Sequence, residues 1–310
     1  MVNSLQGEVL AEISRAGLVE SLHSGHLVML NGDGSIFLAK GAIDLPIYPR
    51  SSVKAIQASG MARSGLRLNS EQWALVCASH SGSDRHLEVV RSILADAGLD
   101  ESFLRNSKDK PLGEKERFAW GSNEPMRITQ NCSGKHAGML AACAVNGWDL
   151  ESYLSPAHPL QVAIRTELET LSGQKVSHVT ADGCGAPLFA LSTLGLAHAF
   201  RNLTISPDPL HQEIVRSCIA HPDLVAGEGR LTTRLMRSVL GLFMKEGAEA
   251  VEVLTLADGR TLVFKISDGS GRAFGPIVQA ALAQWGIDTP DESVKIYGGG
   301  EVVGSIEALL

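Results

Sequence analysis

Two side chains that could act as a nucleophile and its base lie three positions apart, Ser51 and Lys54, in the segment Arg-Ser-Ser-Val-Lys. A serine hydroxyl is a weak nucleophile at neutral pH, and an adjacent lysine that has lost its proton can serve as the base. Positions i and i+3 share one face of a helix, so the amine could reach the hydroxyl without distorting the backbone. The spacing is compatible with covalent catalysis by serine.

The same spacing occurs again at Ser107 and Lys110, so the pattern alone decides little. That copy lies in a charged stretch, residues 106–117, with a proline directly after the lysine, and is predicted to be a solvated loop. Ser51 instead opens a segment whose apolar residues have helical spacing. From local sequence, Ser51 is explained equally well as a helix N-cap with a surface lysine nearby.

Residues 77–86, Cys-Ala-Ser-His-Ser-Gly-Ser-Asp-Arg-His, are rich in hydroxyl and imidazole groups and follow an apolar run. Ser83 or Asp84 is expected to cap the helix that comes next. That interpretation accounts for the end of the segment. It leaves Ser79 and His80 as candidates for chemistry.

Two other segments place small and polar residues before an apolar helical pattern. In residues 131–140, a helix start would direct free amide groups at an anionic carboxylate, and Lys135 and His136 would strengthen that site. Residues 180–187 contain one charged residue, Asp182, which could receive an ammonium group. Taken singly, each segment is explained better as a glycine-rich turn.

Metal and dinucleotide sites find little support in the spacing. Cys132, His136 and Cys184 are plausible ligands, but structural zinc prefers four ligands, often at short fixed spacings. Residues 86–88, His-Leu-Glu, lack the Pro-Cys-x-x-Cys of zinc deaminases. The glycine-rich residues 298–304 lack the strand-then-helix setting of a dinucleotide loop.

The composition limits the class of protein. The 310 residues are 44% hydrophobic and 20% charged, as in a soluble enzyme of one large or two fused domains. A net charge of −7 argues against nucleic-acid binding, and no apolar run approaches the roughly 20 residues of a membrane span. With five scattered cysteines and no visible export signal, we expect reduced thiols in a cytoplasmic protein.

The elements that must position these groups follow a simple order. Residues 27–39 predict two strands around an Asn-Gly-Asp-Gly turn, and strands return at 251–256 and 261–266. Helical patterns dominate between them, and an apolar tail occupies residues 302–309. Helices are predicted at residues 86–97, 135–145, 159–171, 187–200, 210–219 and 276–285.

This order predicts an α+β fold, because strands and helices segregate along the chain. The N- and C-terminal segments would form one antiparallel sheet, in a lobe of about residues 1–50 and 245–310. Residues 51–244 would form a helical lobe beside it. A cleft between two such lobes is a natural place for a small-molecule site.

Six segments together resemble the rhizobial-type (class 3) L-asparaginases, a family whose fold is related to serine β-lactamases and serine glutaminases. They occur in the family's order over about residues 18–270. The most specific are Asn-Cys-Ser-Gly-Lys-His at 131–136 and Val-Ala-Gly-Glu-Gly-Arg at 225–230. The others are Arg50–Lys54, Cys77–Ser81, His158–Gln161 and Asp182–Cys184.

The resemblance implies a β-lactamase-like fold and a catalytic site with two serine–lysine pairs. The first pair is Ser51 with Lys54, and the second is Ser79 with a lysine near the C-terminal strands. Lys245, in a Lys-x-Gly element, is the favoured partner of Ser79, and Lys265 is the alternative.

The resemblance also implies the lining of the substrate pocket and a homodimer. The pocket residues are Arg50, Lys135, His136 and Asp182. One departure from the family is Ala250, which stands where glycine is usual, so the loop beyond Lys245 is expected to differ.

Zinc gains support from the same resemblance. Some family members hold a zinc ion with residues that match Cys132, Lys135 and Cys184, and all three are present. We expect that zinc can bind and shapes the pocket without activating the nucleophile. The alternative is a site of reduced thiols that holds no metal.

The expected activity is hydrolysis of the side-chain amide of L-asparagine to L-aspartate and ammonia. Ser51 would attack the amide carbon after giving its proton to Lys54, while Ser79 and Lys245 relay protons. Asp182 would receive the α-ammonium group, and Arg50 or Lys135 would receive the α-carboxylate.

Two alternatives stay open. One is a serine glutaminase or another β-lactamase-like amidase that acts on a longer amide. The other is a non-catalytic protein that binds amino acids, against which the intact Ser51, Lys54 and Ser79 argue. A penicillin-recognising enzyme is disfavoured, since its substrates lie outside the cytoplasm.

Overall fold

Strands occupy both ends of the chain and helices its middle in the computed structural model, which describes residues 7–310. The strands are β1 (Glu8–Arg15), β2 (Leu18–Leu30), β3 (Ile36–Lys40), β4 (Pro46–Ile47), β5 (Val179–Ala181), β6 (Pro187–Phe189), β7 (Leu191–Ser192), β8 (Phe243–Gly247), β9 (Val251–Thr255), β10 (Thr261–Ile266), β11 (Val294–Gly298) and β12 (Glu301–Ala308). The helices are α1 (Lys54–Arg63), α2 (Ser70–Val76), α3 (Asp84–Asp96), α4 (Glu114–Trp120), α5 (Ser133–Asn146), α6 (Pro159–Ser172), α7 (Thr193–Ile205), α8 (Pro209–Ala220), α9 (Pro222–Val225), α10 (Leu231–Ser238) and α11 (Phe274–Gln284).

The two ends of the chain meet in one antiparallel sheet. Its order is β11-β12-β1-β2-β10-β9-β8, and β3 also pairs with β2. In the register, Ile13 on β1 faces Ile306 on β12, and Val28 on β2 faces Val263 on β10. The predicted α+β fold, with an antiparallel sheet from both ends, is therefore confirmed.

The helices between β3 and β8 pack around α1, which is buried over almost its whole length. Gly60 allows this, because a Cβ there would lie 2.7 Å from the Cα of Ile164 on α6. Helix α7 lies against β2, β9 and β10 and so joins the helices to the sheet. Among residues 7–310, none of the helices is both long and apolar enough to cross a bilayer.

The helix predicted at residues 187–200 is wrong over its first six residues. Residues 187–192 form the short strands β6 and β7, and α7 begins only at Thr193, where Ser192 caps it by accepting the amide of Gly195 at 2.9 Å. In an apolar run, the spacing of the apolar residues alone cannot distinguish a short buried strand from a segment of helix. Strand β6 pairs with β5, so residues 182–186 form the turn of a hairpin, and the segment 180–187 is not a loop before a helix.

Candidate active site

The first serine–lysine pair lies where the chain enters α1. Ser51 belongs to the 3-10 turn Arg50–Val53 and is half-buried, whereas Lys54 begins the helix and is 1% exposed. The hydrogen bonds of Lys54 Nζ go to the carbonyl oxygen of Ala78 and to Ser79 Oγ, the latter at 3.2 Å, rather than to Ser51. The lysine thus connects the first pair to the second.

Ser79 lies in the connection between α2 and α3, and only 4% of it is exposed. Its amide donates to the carbonyl oxygen of Val225 at 3.1 Å, which fixes the backbone. Its Oγ lies 3.0 Å from Lys245 Nζ and 3.2 Å from Lys54 Nζ. One buried hydroxyl therefore bridges two amines that come from a helix and a strand.

Lys245, on β8, is the C-terminal lysine that reaches Ser79, whereas Lys265 lies on β10 and donates to the carbonyl oxygen of Ile266. Gly247 lets β8 approach the start of α1, since a Cβ there would lie 2.6 Å from the carbonyl oxygen of Pro49. The glycine of the Lys-x-Gly element therefore has a steric role in bringing the lysine to the site.

Burial, together with the positive charge of Lys54, lowers the pKa of Lys245 to about 8. The carboxylate of Glu246 opposes this shift from 3.6 Å. Glu246 is itself held by Arg230 at 2.6 Å, and Arg230 also donates to the carbonyl oxygen of Ser79 at 2.7 Å. An amine with a pKa near 8 is suited to exchange protons near neutral pH.

An arginine–aspartate pair lies directly beside the first serine. Arg50 Nε donates to Asp182 Oδ1 at 2.7 Å, from a backbone with the positive φ of 53°. Burial alone would raise the pKa of the Asp182 carboxyl, but Lys135 and Arg50 outweigh it and the pKa is lowered. The pair offers opposite charges to the two charged ends of an amino acid.

His136 has a ring nitrogen, Nε2, that is buried and has no hydrogen-bond partner within residues 7–310. Its other ring nitrogen, Nδ1, lies 2.7 Å from the Tyr153 hydroxyl, which also accepts the amide of Arg105 at 3.2 Å. Burial lowers the pKa of His136 well below its usual range, so the ring is neutral. The unpaired Nε2 is therefore available to a ligand group.

The three residues expected to hold zinc converge at the start of α5. Lys135 Nζ lies 3.1 Å from Cys184 Sγ. A hydrogen bond from Cys132 lowers the pKa of Cys184 well below its usual range, whereas that bond and burial raise the pKa of Cys132 to about 12.

Cys132, Cys184 and the Lys135 amine could serve as three donors for zinc, with a fourth position left for water. Burial would lower the pKa of Lys135, but the nearby thiol and carboxyl groups outweigh it and raise that pKa, so the amine would have to release its proton on binding the ion. The third donor has to be the lysine, because within residues 7–310 no group of three or more His, Cys, Asp or Glu side chains could hold a metal ion.

The second Ser-x-x-Lys copy does not form a pair. Ser107 Oγ donates to the carbonyl oxygen of Gly183 at 2.9 Å, whereas Lys110 Nζ donates to that of Gly121 at 2.7 Å. The loop predicted at residues 106–117 is found over residues 106–113, but the prediction is wrong over residues 114–117, which form the first turn of α4.

His80, which the sequence left unexplained, positions the loop of Ser79. Its Nε2 lies 2.8 Å from Ser133 Oγ, and that hydroxyl donates to the carbonyl oxygen of Ile128 at 2.7 Å. Ser133 must therefore accept from the Nε2 proton of His80. This bond fixes the Ser79 loop to the start of α5, which carries Lys135 and His136.

Sequence reasoning missed three residues of the site. Arg230 was part of a matching segment but had no assigned role, and Glu246 lay unnoticed beside Lys245. Tyr153 gave no signal, because its partner His136 lies far from it along the chain. The only sequence signal for Glu246 was its position directly after the candidate Lys245.

Comparison with protein-family models matches residues 11–307 to the family described as L-asparaginase II. No curated protein sequence matches the chain. Among solved structures, a β-lactamase from Mycobacterium bovis is similar at 15% identity over 85% of this chain and 95% of that one, with a TM-score of 0.44. Because the family match spans nearly the whole chain, the protein belongs to the L-asparaginase II family, a family of amidohydrolases.

Proposed function

We propose that the protein is an L-asparaginase that hydrolyses the side-chain amide of L-asparagine to L-aspartate and ammonia through an ester on a serine. The observation that carries the proposal is the Ser79 hydroxyl held between the amines of Lys54 and Lys245. Ser51 lies one helical turn before Lys54, beside an arginine–aspartate pair. Nucleophile, base and a site for an amino acid thus occur together.

In the first step, Ser51 Oγ attacks the amide carbon and its proton passes to the amine of Lys54. The tetrahedral carbon then expels the amide nitrogen, which takes that proton from Lys54 and leaves as ammonia, and an ester bond to Ser51 remains. The amide of Ser51, close to Gly247, is a candidate donor to the developing oxyanion.

The hydrogen bonds of Ser79 support a proton route between the two lysines. A proton accepted by Lys54 can pass through the Ser79 hydroxyl to Lys245, whose pKa near 8 lets it give up protons at physiological pH. In the second step, water attacks the ester, its proton enters the same route, and Ser51 is reprotonated as L-aspartate leaves.

The substrate's two charged groups find partners in the Arg50–Asp182 ion pair beside Ser51. Asp182 would bind the α-ammonium group and Arg50 the α-carboxylate, since these side chains already form an ion pair of 2.7 Å. His136 Nε2 has no partner among the described residues, so a hydrogen bond from or to a polar substrate group would satisfy a buried nitrogen. Lys135 is the alternative partner of the α-carboxylate.

Cys132, Lys135 and Cys184 would hold a zinc ion where the protein binds one. The ion would supply a fixed positive charge that attracts an anionic substrate group. These residues otherwise order the wall of the pocket, because Lys135 links the start of α5 to the turn that carries Asp182.

Ser79 is the second candidate for the acylated serine, because both amines contact its hydroxyl and neither is directed to Ser51. Intact-mass measurement of protein quenched during turnover, followed by peptide mapping, would assign the ester. We expect the aspartyl group on Ser51, with none in S51A. An ester on Ser79 would reverse the roles of the two serines.

Ammonia release from L-asparagine and from L-glutamine, measured side by side, tests the substrate. We expect turnover of L-asparagine to be much faster. A preference for L-glutamine would favour the serine glutaminase alternative, and binding of L-asparagine without ammonia release by the unmodified protein would contradict an enzymatic role.

We also propose that the protein acts as a homodimer in the cytoplasm. In support of a dimer, one end of the sheet exposes the large apolar side chains Leu18, Leu22, Tyr297 and Val302. In support of a reducing compartment, all five cysteines are free thiols. Light scattering coupled to gel filtration would test the dimer, and a monomeric mass at micromolar concentration would contradict it.

A further inference from the structure

A cavity lies beside the candidate active site. Its volume is about 510 Å³, a size typical of small-molecule sites. Arg50 is in its wall, but none of Ser51, Lys54, Ser79 and Lys245 is. The charged residues of the wall are Arg50, Glu249 and Lys265, and Tyr48 and Thr180 add hydroxyl groups.

Lys265 is the side chain that the proposed reaction leaves without a task. It is half-buried, and its amine donates to the carbonyl oxygen of Ile266. Within residues 7–310, no carboxylate lies within 4.0 Å of Lys265 Nζ, although Glu249 and Asp268 are close enough to act on it electrostatically. A partly desolvated cation without an ionic partner is unfavourable, and a carboxylate in the cavity would compensate it.

Backbone strain is concentrated at the same cavity. Arg50, Glu249 and Ala250 all have positive φ, at 53°, 59° and 54°. Each is a non-glycine residue in the left-handed region, and such residues cluster where a binding or catalytic site requires them. The strain places the Arg50 and Glu249 side chains in contact, with Arg50 Nη1 3.9 Å from Glu249 Oε1.

The charges define the ligand. The wall carries two cations and one carboxylate, so it complements a molecule with one positive and two negative groups. Apolar contacts from Pro46, Ile47 and Leu188 leave room for a short carbon chain. An acidic amino acid has this set of groups, and the product of the proposed reaction, L-aspartate, is the smallest common example.

We propose that this cavity is a second, non-catalytic binding site for a small acidic amino acid, with Lys265 as its anchor. Arg50 is shared between this outer site and the inner site of the proposed function. The assignment of the inner site rests on that function, whereas the outer site rests on the cavity and on Lys265.

Calorimetric titration with L-aspartate tests the proposal in an S51A background, where no ester can form on Ser51. We expect two equivalents to bind per chain, and K265M to remove one of them or to weaken it at least about tenfold, as for a lost charged hydrogen bond. K295M is the matched control, because it removes an exposed lysine from β11 of the same sheet, and two equivalents should remain.

E249Q provides a second test should K265M fold poorly, which circular dichroism would reveal. Glu249 is the carboxylate of the wall and the partner of the ligand's ammonium group, so its removal should weaken L-aspartate binding at this site about two- to threefold. Unchanged stoichiometry and affinity in both variants would overturn the proposal. A different result is also informative: the unmodified protein releases no ammonia but binds one equivalent of L-aspartate, and K265M does not bind it. That result would contradict the proposed function and support the outer site.

Discussion

Helix α1 contributes to two buried polar clusters that differ in how their charges are compensated. The cluster that we propose to be catalytic, called the catalytic cluster, lies at the start of α1 and consists of Lys54, Ser79, Lys245 and Glu246 with Arg230. The structural cluster, toward its end, consists of Ser59, Arg63, Glu167, Asp208 and His211. Both lie between the same helix and its neighbours, so their differences reflect composition rather than depth alone.

In the structural cluster, each charge has a partner. Glu167 accepts from Ser59 at 2.5 Å and lies 2.7 Å from His211 Nε2, and its second oxygen lies 3.4 Å from Arg63. Arg63 in turn pairs with Asp208 at 2.5 Å. Burial raises the pKa of Glu167, but these partners outweigh it, and the carboxyl remains charged with a lowered pKa.

In the catalytic cluster, cations outnumber carboxylates. Lys245 and Arg230 share the carboxylate of Glu246, whereas within residues 7–310 Lys54 bonds only to Ala78 and Ser79. The neighbouring Glu252 has a strongly raised pKa because it is buried opposite Glu246. Buried groups whose charges are incompletely compensated have shifted pKa values and change protonation state easily. Catalysis requires such groups, whereas a purely structural cluster does not. The contrast predicts that variants of the catalytic cluster lose activity, whereas variants of the structural cluster lose stability.

The largest expected effect is the loss of activity in K54M. Removal of a general base typically lowers the rate about 10²- to 10⁴-fold, and methionine keeps the volume of the buried stem. Stability should be unchanged or higher, since a buried amine without a carboxylate partner disappears. Ammonia release and urea unfolding measure the two effects. K54M with near-parental turnover would remove Lys54 from the reaction.

Next in size is the loss of stability in E167L. Removing the carboxylate leaves His211, Ser59 and Arg63 without their shared acceptor, and breaking a buried ion pair costs roughly 3 kcal/mol. The folded fraction should keep its turnover number, because Glu167 contacts no residue of the catalytic cluster. Urea unfolding and active-site titration would show this. A variant of parental stability with a reduced turnover number would reverse the roles assigned to the two clusters.

The sequence points to residues of the catalytic cluster but to none of the structural one. The spacing of Ser51 and Lys54 is local, whereas Ser79 and Lys245 lie far apart and are paired only by the family resemblance. The contact of Ser59 with Glu167 joins residues far apart in sequence through the packing of α1 on α6, and no local pattern encodes it. The strands at residues 187–192 were missed for a similar reason, since pairing with β5 and β4 decides them.

The third prediction concerns the pH dependence of turnover. Lys245 has a pKa lowered to about 8, so the amine gains a proton as the pH falls through that value and can no longer accept one. The turnover number should fall roughly tenfold per pH unit below 8. E246Q removes the carboxylate that favours the protonated amine, so its curve should shift to lower pH by about one unit.

The folded E167Q variant serves as the control for this curve, because its carboxylate belongs to the other cluster. Its pH dependence should match that of the parent protein. A shift to higher pH in E246Q would show that Glu246 does not act on Lys245 by its charge, and a parental curve without a limb near 8 would exclude Lys245 as the proton acceptor.

The smallest expected effect is a gain of stability in E252Q. Glu252 is fully buried on β9, directly opposite Glu246, and its Oε2 has no hydrogen-bond partner within residues 7–310. Burial and the charge of Glu246 raise its pKa strongly, against the weaker opposing influence of Lys245 and Arg230. The folded protein therefore keeps a proton that the unfolded chain releases above its ordinary pKa of about 4.5.

Between that value and the raised pKa the unfolded state binds fewer protons, so stability falls as the pH rises. Glutamine mimics the protonated acid and cannot ionise, so E252Q should be more stable than the parent by at least about 1 kcal/mol at pH 8 and nearly equal to it at pH 5. E301Q, at the exposed start of β12, should show no such difference. Equal destabilisation of E252Q at both pH values would mean that Glu252 acts through packing. The incompletely compensated charges of the catalytic cluster would then be those of its lysines alone.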